Sequence, residues 1–394
     1  MKPVYLDNNA TTQVAPEVLA AMLPYLTEFY GNPSSMHSFG GQVGLHLKQA
    51  RADIAGVLGC DPQELIFTSC GSEGDNAAIL SALAAQPEKK HIVTTRVEHP
   101  AVLSLCKHLE EKGYEVTYLG VDDKGRLDMD ELAAAIGKDT AIVSIMYANN
   151  ETGVLFPIPE IAALCKARGV LLHTDAVQAV GKLDIDLSKL PVDMLTLSGH
   201  KLHAPKGVGL LYVRKGTPFR PFLIGGHQER GRRAGTENTA GIIALAKAMT
   251  LAKQHLAEEQ SRVKALRDRL ETGILAAVPN SQVNGDTWHR LPNTSSIAFK
   301  FVEGEAILLM LDQYGICASS GSACTSGSLE PSHVLRAMGV PFTYAHGSIR
   351  FSLSRYTTDA DIDLVLDKLP GIIETLRRMS PFCEEDAAKP ACTC

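Results

Sequence analysis

Between residues 64 and 215, short apolar, β-branched runs alternate with segments of helical period. This alternation constrains the fold more than any other feature of the chain. The apolar runs lie at 65–68, 91–95, 116–119, 141–146, 170–173, 194–198 and 208–213, and helical segments over 74–85, 101–112, 128–136 and 158–168 separate the first five. A continuous apolar strand is buried on both faces, and a helix between two strands favours parallel pairing. The pattern predicts an α/β fold with a mostly parallel seven-stranded sheet covered by helices on both sides.

With 394 residues the chain exceeds the usual reach of a single core. Residues 237–277 read as a long helix, which commonly links two domains. Beyond it, 294–301 and 347–353 read as strands and 304–314 and 358–377 as helices, a smaller α+β unit. The expected division is a large domain over 1–255 with an N-terminal arm at 1–14, a small C-terminal domain over 256–379, and a flexible cysteine-containing tail at 380–394. With 38 basic and 44 acidic residues, a nucleic-acid or membrane-surface role is disfavoured. The basic run Arg230-Gly231-Arg232-Arg233 then reads as an anion or interface feature. The start of the chain has no apolar signal region, and no run approaches ~18 apolar residues, so a cytoplasmic location is expected.

The nine cysteines are widely spaced, odd in number and free of CxxC pairs, which argues against a disulfide framework or a zinc site. Cys60, Cys106 and Cys165 sit in or beside apolar helical patterns and read as buried small hydrophobes. Cys324 differs, because it lies in the polar, glycine-rich segment Ser319-Ser320-Gly321-Ser322-Ala323-Cys324-Thr325-Ser326-Gly327-Ser328. An accessible thiol there has no packing duty. The tail adds Cys383, Cys392 and Cys394. His200-x-x-His203 has a metal-pair spacing, but it overlaps a lysine motif that has another use.

Three segments place chemistry at the carboxyl ends of strands, where open α/β sheets bind ligands. They are Glu98-His99-Pro100, His173-Thr174-Asp175-Ala176-Val177-Gln178 and Ser198-Gly199-His200-Lys201. Taken singly, His99 could be a turn residue, Asp175 a helix cap and Lys201 a surface lysine. No dinucleotide or P-loop glycine fingerprint is present. Instead Ser69-Cys70-Gly71-Ser72 runs from a strand into a helix N-terminus, a candidate anion site. Together these pieces suit pyridoxal phosphate (PLP). That cofactor needs a lysine for its aldehyde, an acid for its ring nitrogen, a flat group on its ring face and a phosphate cup.

The chain resembles the class V aminotransferase group, specifically the cysteine desulfurases and most closely the NifS type. The resemblance rests on Tyr5-Leu6-Asp7-Asn8-Asn9-Ala10-Thr11-Thr12, Gly31-Asn32-Pro33-Ser34-Ser35, Glu98-His99-Pro100, Ala148-Asn149-Asn150-Glu151-Thr152-Gly153, the segments from His173 and Ser198, Arg233-Ala234-Gly235-Thr236-Glu237-Asn238, Ser320-Gly321-Ser322-Ala323-Cys324 and Ile349-Arg350-Phe351-Ser352. These run in family order from about residue 3 to 378.

The resemblance implies a fold-type I PLP-dependent transferase acting on L-cysteine. Lys201 would hold the cofactor and move the substrate Cα proton. Asp175 would pair with the ring nitrogen, Gln178 with the ring hydroxyl, and His99 would stack on the ring. Gly71, Ser72, Ser198 and His200 would hold the phosphate. Thr236 would reach the phosphate of a neighbouring subunit, which implies a homodimer. Asn150 and Arg350 would bind the substrate carboxylate, a group that a planar guanidinium grips with two bonds. Cys324 would be the nucleophile, taking sulfur as a persulfide for an iron–sulfur scaffold protein that serves nitrogenase clusters. In that delivery it would briefly share a cluster iron. Gly74 stands where such enzymes more often have Ser, a departure expected to have little consequence. Two other readings remain at this stage: a related PLP enzyme such as an aminotransferase or selenocysteine lyase, and a thiol-based metal or cluster carrier.

Overall fold

The computed structural model describes residues 3–320 and 331–380. Its strands in chain order are β1 Val4–Tyr5, β2 Leu65–Thr68, β3 His91–Thr95, β4 Glu115–Leu119, β5 Thr140–Ser144, β6 Leu171–Asp175, β7 Met194–Ser198, β8 Gly209–Val213, β9 Ser281–Val283, β10 Thr294–Phe299, β11 Ile316–Cys317 and β12 Ser348–Ser352. Strands β2 to β8 form the expected seven-stranded sheet in the order β2-β8-β7-β6-β5-β3-β4. Only β8 runs antiparallel to its neighbours. It follows β7 after a short connection holding one turn of 3-10 helix, Gly199–Lys201, and no crossover helix. Without a crossover the chain can only return antiparallel.

Alternate residues of each strand face opposite layers. Leu65, Val93, Val143, Leu195 and Leu210 enter one core, and Ile66, Ile92, Ile142, Met194 and Leu211 the other. A further core, with Leu266, Leu270, Ile297, Phe299, Phe351 and Val365, lies around the antiparallel sheet β12-β10-β9. The arm contributes Val4 and Leu6 to this further core, and β1 pairs with β11.

The single long helix expected over 237–277 is broken. Thr239–Gln254 ends at His255, and a short turn and a π-helical segment, Glu259–Val263, lead into Lys264–Ala277. Ile242, Leu245 and Met249 pack in the sheet core, whereas Leu266, Leu270 and Ile274 pack in the further core. We propose this break as the boundary between units 1–255 and 256–379. The helix Ser38–Leu58 was not anticipated. Among the described residues no helix is long and apolar enough to cross a membrane.

Candidate active site

The connection from β7 to β8 presents Lys201 at the carboxyl edge of the sheet. Its Nζ donates to the carbonyl oxygens of Asn9 at 2.5 Å and Ala10 at 2.7 Å. The N-terminal arm thus crosses the sheet edge and holds the lysine through its backbone. The arm segment belongs to the resemblance, but its contact with Lys201 has no local sequence signal.

His99 and Asp175 end neighbouring parts of the same edge. His99 caps the helix Pro100–Glu111, its Nδ1 accepting from Ala101 N–H at 3.1 Å. Burial, and then the charge of Lys201 and the nearby His333, lower its pKa to about 4. The ring is therefore neutral near pH 7, with its proton on Nε2. Asp175 closes β6, and its Oδ1 accepts from Val177 N–H at 2.9 Å. Burial raises this carboxyl to about 6, against the pull of the Val177 N–H and the Lys201 cation.

Two more buried carboxyls stand behind it. Glu98 accepts from Thr95 Oγ1 at 2.7 Å and from Met146 N–H, and burial lifts it to about 8. Burial and then the charge of Asp175 raise Asp75 well above the ordinary carboxylate range. His173 lies between Ser144 Oγ and Thr196 Oγ1, both at 2.9 Å, and burial lowers it to about 3. Burial thus holds Glu98 mostly protonated near pH 7, which leaves Asp175, with the lower pKa, as the carboxyl able to carry charge toward Lys201.

Of the residues expected at the phosphate, Gly71 and Ser72 open the helix Gly71–Ala85, whose N-cap residue, Cys70, makes no side-chain cap, and Ser198 lies beside Gly71. A Cβ at Gly71 would meet Val177 Cγ2 at 2.9 Å, so only glycine lets this turn pack there. Ser198 is buried and its Oγ has no hydrogen-bond partner among the described residues. His200 Nδ1 lies 3.1 Å from Thr11 Oγ1. Thr236 lies apart, lining a cavity of about 170 Å³ with Ser69, Arg233 and Asn238. Gly74 has a packing role that was not expected. A Cβ there would lie 2.6 Å from Thr196 Cγ2, so the glycine is a fitted position rather than a neutral departure.

Arg350 on β12 is buried, with Nη1 donating to the Asn150 carbonyl at 2.9 Å and Nη2 to Asp7 Oδ1 at 2.7 Å. Asn150 therefore meets Arg350 through its backbone. Ser319 pairs with Arg350 as an antiparallel bridge, and His333 Nε2 donates to the Glu98 carbonyl at 3.0 Å. Residues on either side of the Cys324 segment are thus tied to the site. Cys324 itself lies outside the described residues, as do Cys383, Cys392 and Cys394.

These residues fit pyridoxal phosphate. A lysine amine, a buried carboxyl, a neutral imidazole, an unpartnered serine hydroxyl and an uncapped helix N-terminus meet at one sheet edge. The family model "Aminotransferase class-V" matches residues 4–365. The chain belongs to the class-V aminotransferase family. Its members are PLP-dependent enzymes. Cysteine desulfurase 2 of Trichormus variabilis is 66% identical over 387 residues, 98% of this chain and 97% of that protein. Cysteine desulfurase NifS of Azotobacter vinelandii is 61% identical, over 97% of this chain and 95% of that protein. Among solved structures, a NifS-like protein with 40% identity superposes with a TM-score of 0.90, covering 95% of this class-V chain and all of the other.

Proposed function

We propose that this class-V enzyme is a PLP-dependent cysteine desulfurase, taking sulfur from L-cysteine and releasing L-alanine. The carrying observation is Lys201, held at the sheet edge by the arm and electrostatically linked to both Asp175 and His99. Near-full-length identity to desulfurases supports the substrate.

Pyridoxal phosphate bound here supplies an electron sink that makes the substrate Cα proton removable. Lys201 Nζ would hold its aldehyde and is the amine placed to take and return that proton. Asp175 would pair with the ring nitrogen, Gln178 would donate to the ring hydroxyl, and His99 would cover the ring with its neutral imidazole. Gly71, Ser72, Ser198 and His200 would hold the phosphate. Arg350 and Asn150 orient the substrate carboxylate, and among the described residues the Arg350 Nε–H has no protein partner. The Cys324 thiolate forms an S–S bond to the substrate sulfur as the substrate Cβ–S bond breaks. A proton ends on Cβ, giving alanine and a Cys324 persulfide with no external oxidant.

The working form is a homodimer, with Thr236 reaching the neighbour's phosphate. Exposed apolar side chains on the early helices, Leu19, Leu23, Leu26 and Leu45, together with Ile224, support such an interface. The sulfur passes to an iron–sulfur scaffold, and the NifS-named relative suggests service to nitrogenase.

Purified protein is expected to show a visible cofactor band and to convert L-cysteine to equal amounts of alanine and sulfide with a reductant present. Cys324→Ala keeps the band and loses sulfide release. A colourless protein, or unimpaired turnover in that variant, overturns the assignment.

A further inference from the structure

Two residues into the turn that follows Val180 lies a lysine with no assigned part in the reaction. Lys182 is buried. Its Nζ donates to the Gln178 carbonyl at 3.1 Å and to the Gln178 side-chain Oε1 at 2.9 Å. From the other end of the same amide, Nε2 donates to the Asn9 carbonyl at 2.9 Å. That carbonyl also accepts from Lys201 Nζ. Consecutive hydrogen bonds therefore join Lys182 to Lys201 by way of Gln178 and Asn9.

This arrangement leaves the amide one orientation. An ammonium carries only donors and requires the amide oxygen, while a carbonyl carries only lone pairs and requires the amide nitrogen. Turning the amide over would set NH₂ against NH₃⁺ and oxygen against oxygen. The second N–H of Nε2 is fixed by the same constraint, and it is the donor left for a ligand. A buried ammonium is costly unless it is answered by a charge or hydrogen bonds.

Here the answering charge is Glu259, from the π-helical segment where the chain passes between the two cores. Burial lowers Lys182 to about 7 and raises Glu259 to about 7, each opposed by the other's charge. Lys182 also faces the cations of Lys201 and Arg350, and Glu259 faces Arg355, Glu258 and Arg262. A cavity of about 30 Å³ is lined by Lys182, Lys201, His203, His255, Glu259 and Arg355. From the next residue, Gln260 Nε2 donates to the Lys182 carbonyl.

We propose that Lys182 is a positioning residue: it locks the Gln178 amide with its N–H toward the cofactor ring oxygen and, through the Asn9 carbonyl, helps seat Lys201. The inference rests on the desulfurase reading and adds a residue to it. Losing Lys182 leaves the Asn9 carbonyl as the one remaining partner that orients the amide, so the amide turns more readily, and it removes a cation near Lys201. Both effects favour the protonated form of the group at Lys201.

The test is a pH titration of visible absorption in holoenzyme, with PLP affinity measured alongside. In Lys182→Met the absorption midpoint is expected to rise by about half a pH unit or more. PLP is expected to bind several-fold more weakly, and kcat to fall more than KM changes. Lys182→Gln keeps a donor for Gln178 and is expected to shift the midpoint the same way by less. A purely structural lysine would lower Tm and leave the midpoint unmoved. An unmoved midpoint in Lys182→Met, or in Lys182→Gln where the Met variant does not fold, overturns the inference while a normal wild-type band leaves the desulfurase reading standing. A wild-type protein with no cofactor band overturns both.

Discussion

Replacing Asp175 by Asn removes one buried charge and leaves the side-chain shape nearly unchanged. The carboxyl lies at the end of β6 with Oδ1 on the Val177 N–H. Burial raises its pKa from 3.8 to about 6. An acid raised on folding binds its proton more tightly in the native state than in the unfolded chain. The resulting destabilisation is absent below about pH 4, grows as the pH rises through the folded pKa, and is complete above it. At ~1.4 kcal/mol for each tenfold change in proton affinity, the full effect is about 3 kcal/mol.

Asparagine keeps an oxygen for Val177 but buries an extra N–H pair, at a cost of ~1–2 kcal/mol if unsatisfied. Apoprotein carrying Asp175→Asn is therefore expected to be ~1–2 kcal/mol more stable than wild-type apoprotein near pH 8. The advantage should shrink or reverse near pH 5. Urea unfolding of both apoproteins across that range, with linear extrapolation, measures the difference. Saturating PLP should reverse the order at high pH, because only the carboxylate can pair with a protonated ring nitrogen. Turnover of L-cysteine should be lost. A stability difference that stays constant between about pH 5 and 8 would refute the reasoning, since it would mean that burial does not hold this carboxyl up.

Substitutions at two further positions separate packing from chemistry. Gly74→Ser puts a Cβ against Thr196 and is expected to lower stability by ~1–3 kcal/mol, read as a fall in Tm, because Thr196 is held by His173; an unchanged Tm would show that Thr196 rotates away freely. His99→Ala removes both a ring and a helix cap, and should cost ~1 kcal/mol of stability together with turnover. His99→Asn can keep the cap, so its Tm should stay near wild type while turnover is still lost. Because His99 is lowered to about 4, it stays neutral through the neutral range, and the acid side of the wild-type rate profile above about pH 5.5 should not report it.

The parts of the fold that could be read from sequence are those in which local pattern and final burial coincide. Six of the seven strands are buried along nearly all their length because both faces are covered, so each appears as a short run, while the edge strand β4 is only partly buried. Ser38–Leu58 escaped notice because Gly40, Gly41, Gly44 and Gly56 dilute its helical character. At least one of these has a tertiary reason, since a Cβ at Gly40 would lie 2.3 Å from the Asn32 carbonyl. The break after Gln254 was hidden as well. Glu258-Glu259-Gln260-Ser261-Arg262 reads as a solvated helix face, yet Glu259 is buried within electrostatic reach of Lys182. In the site, Lys201, Asp175 and His99 were legible because a strand end announces each. Asn9, Lys182 and the buried carboxyls Asp75 and Glu98 were not, because their roles come from contacts between distant segments.

The surroundings of the described cysteines bear on the expectation that Cys324 is the nucleophile. Cys106 and Cys165 are buried as expected, and Cys60 is half-buried. Burial pushes all three thiols up to about 12, leaving ~1 in 10⁵ ionised at pH 7, and a thiolate is the reactive form. Burial raises Cys317 as well. Cys70 lies in a different setting, half-buried at the N-terminus of the helix Gly71–Ala85. Cys70 is therefore the control for the assignment of Cys324. Its thiol is fixed at the helix start, whereas a sulfur donor must meet both the substrate and an acceptor protein. Sulfide release is expected to survive Cys70→Ala and to vanish in Cys324→Ala. The opposite result would move the nucleophile to the helix that holds the phosphate.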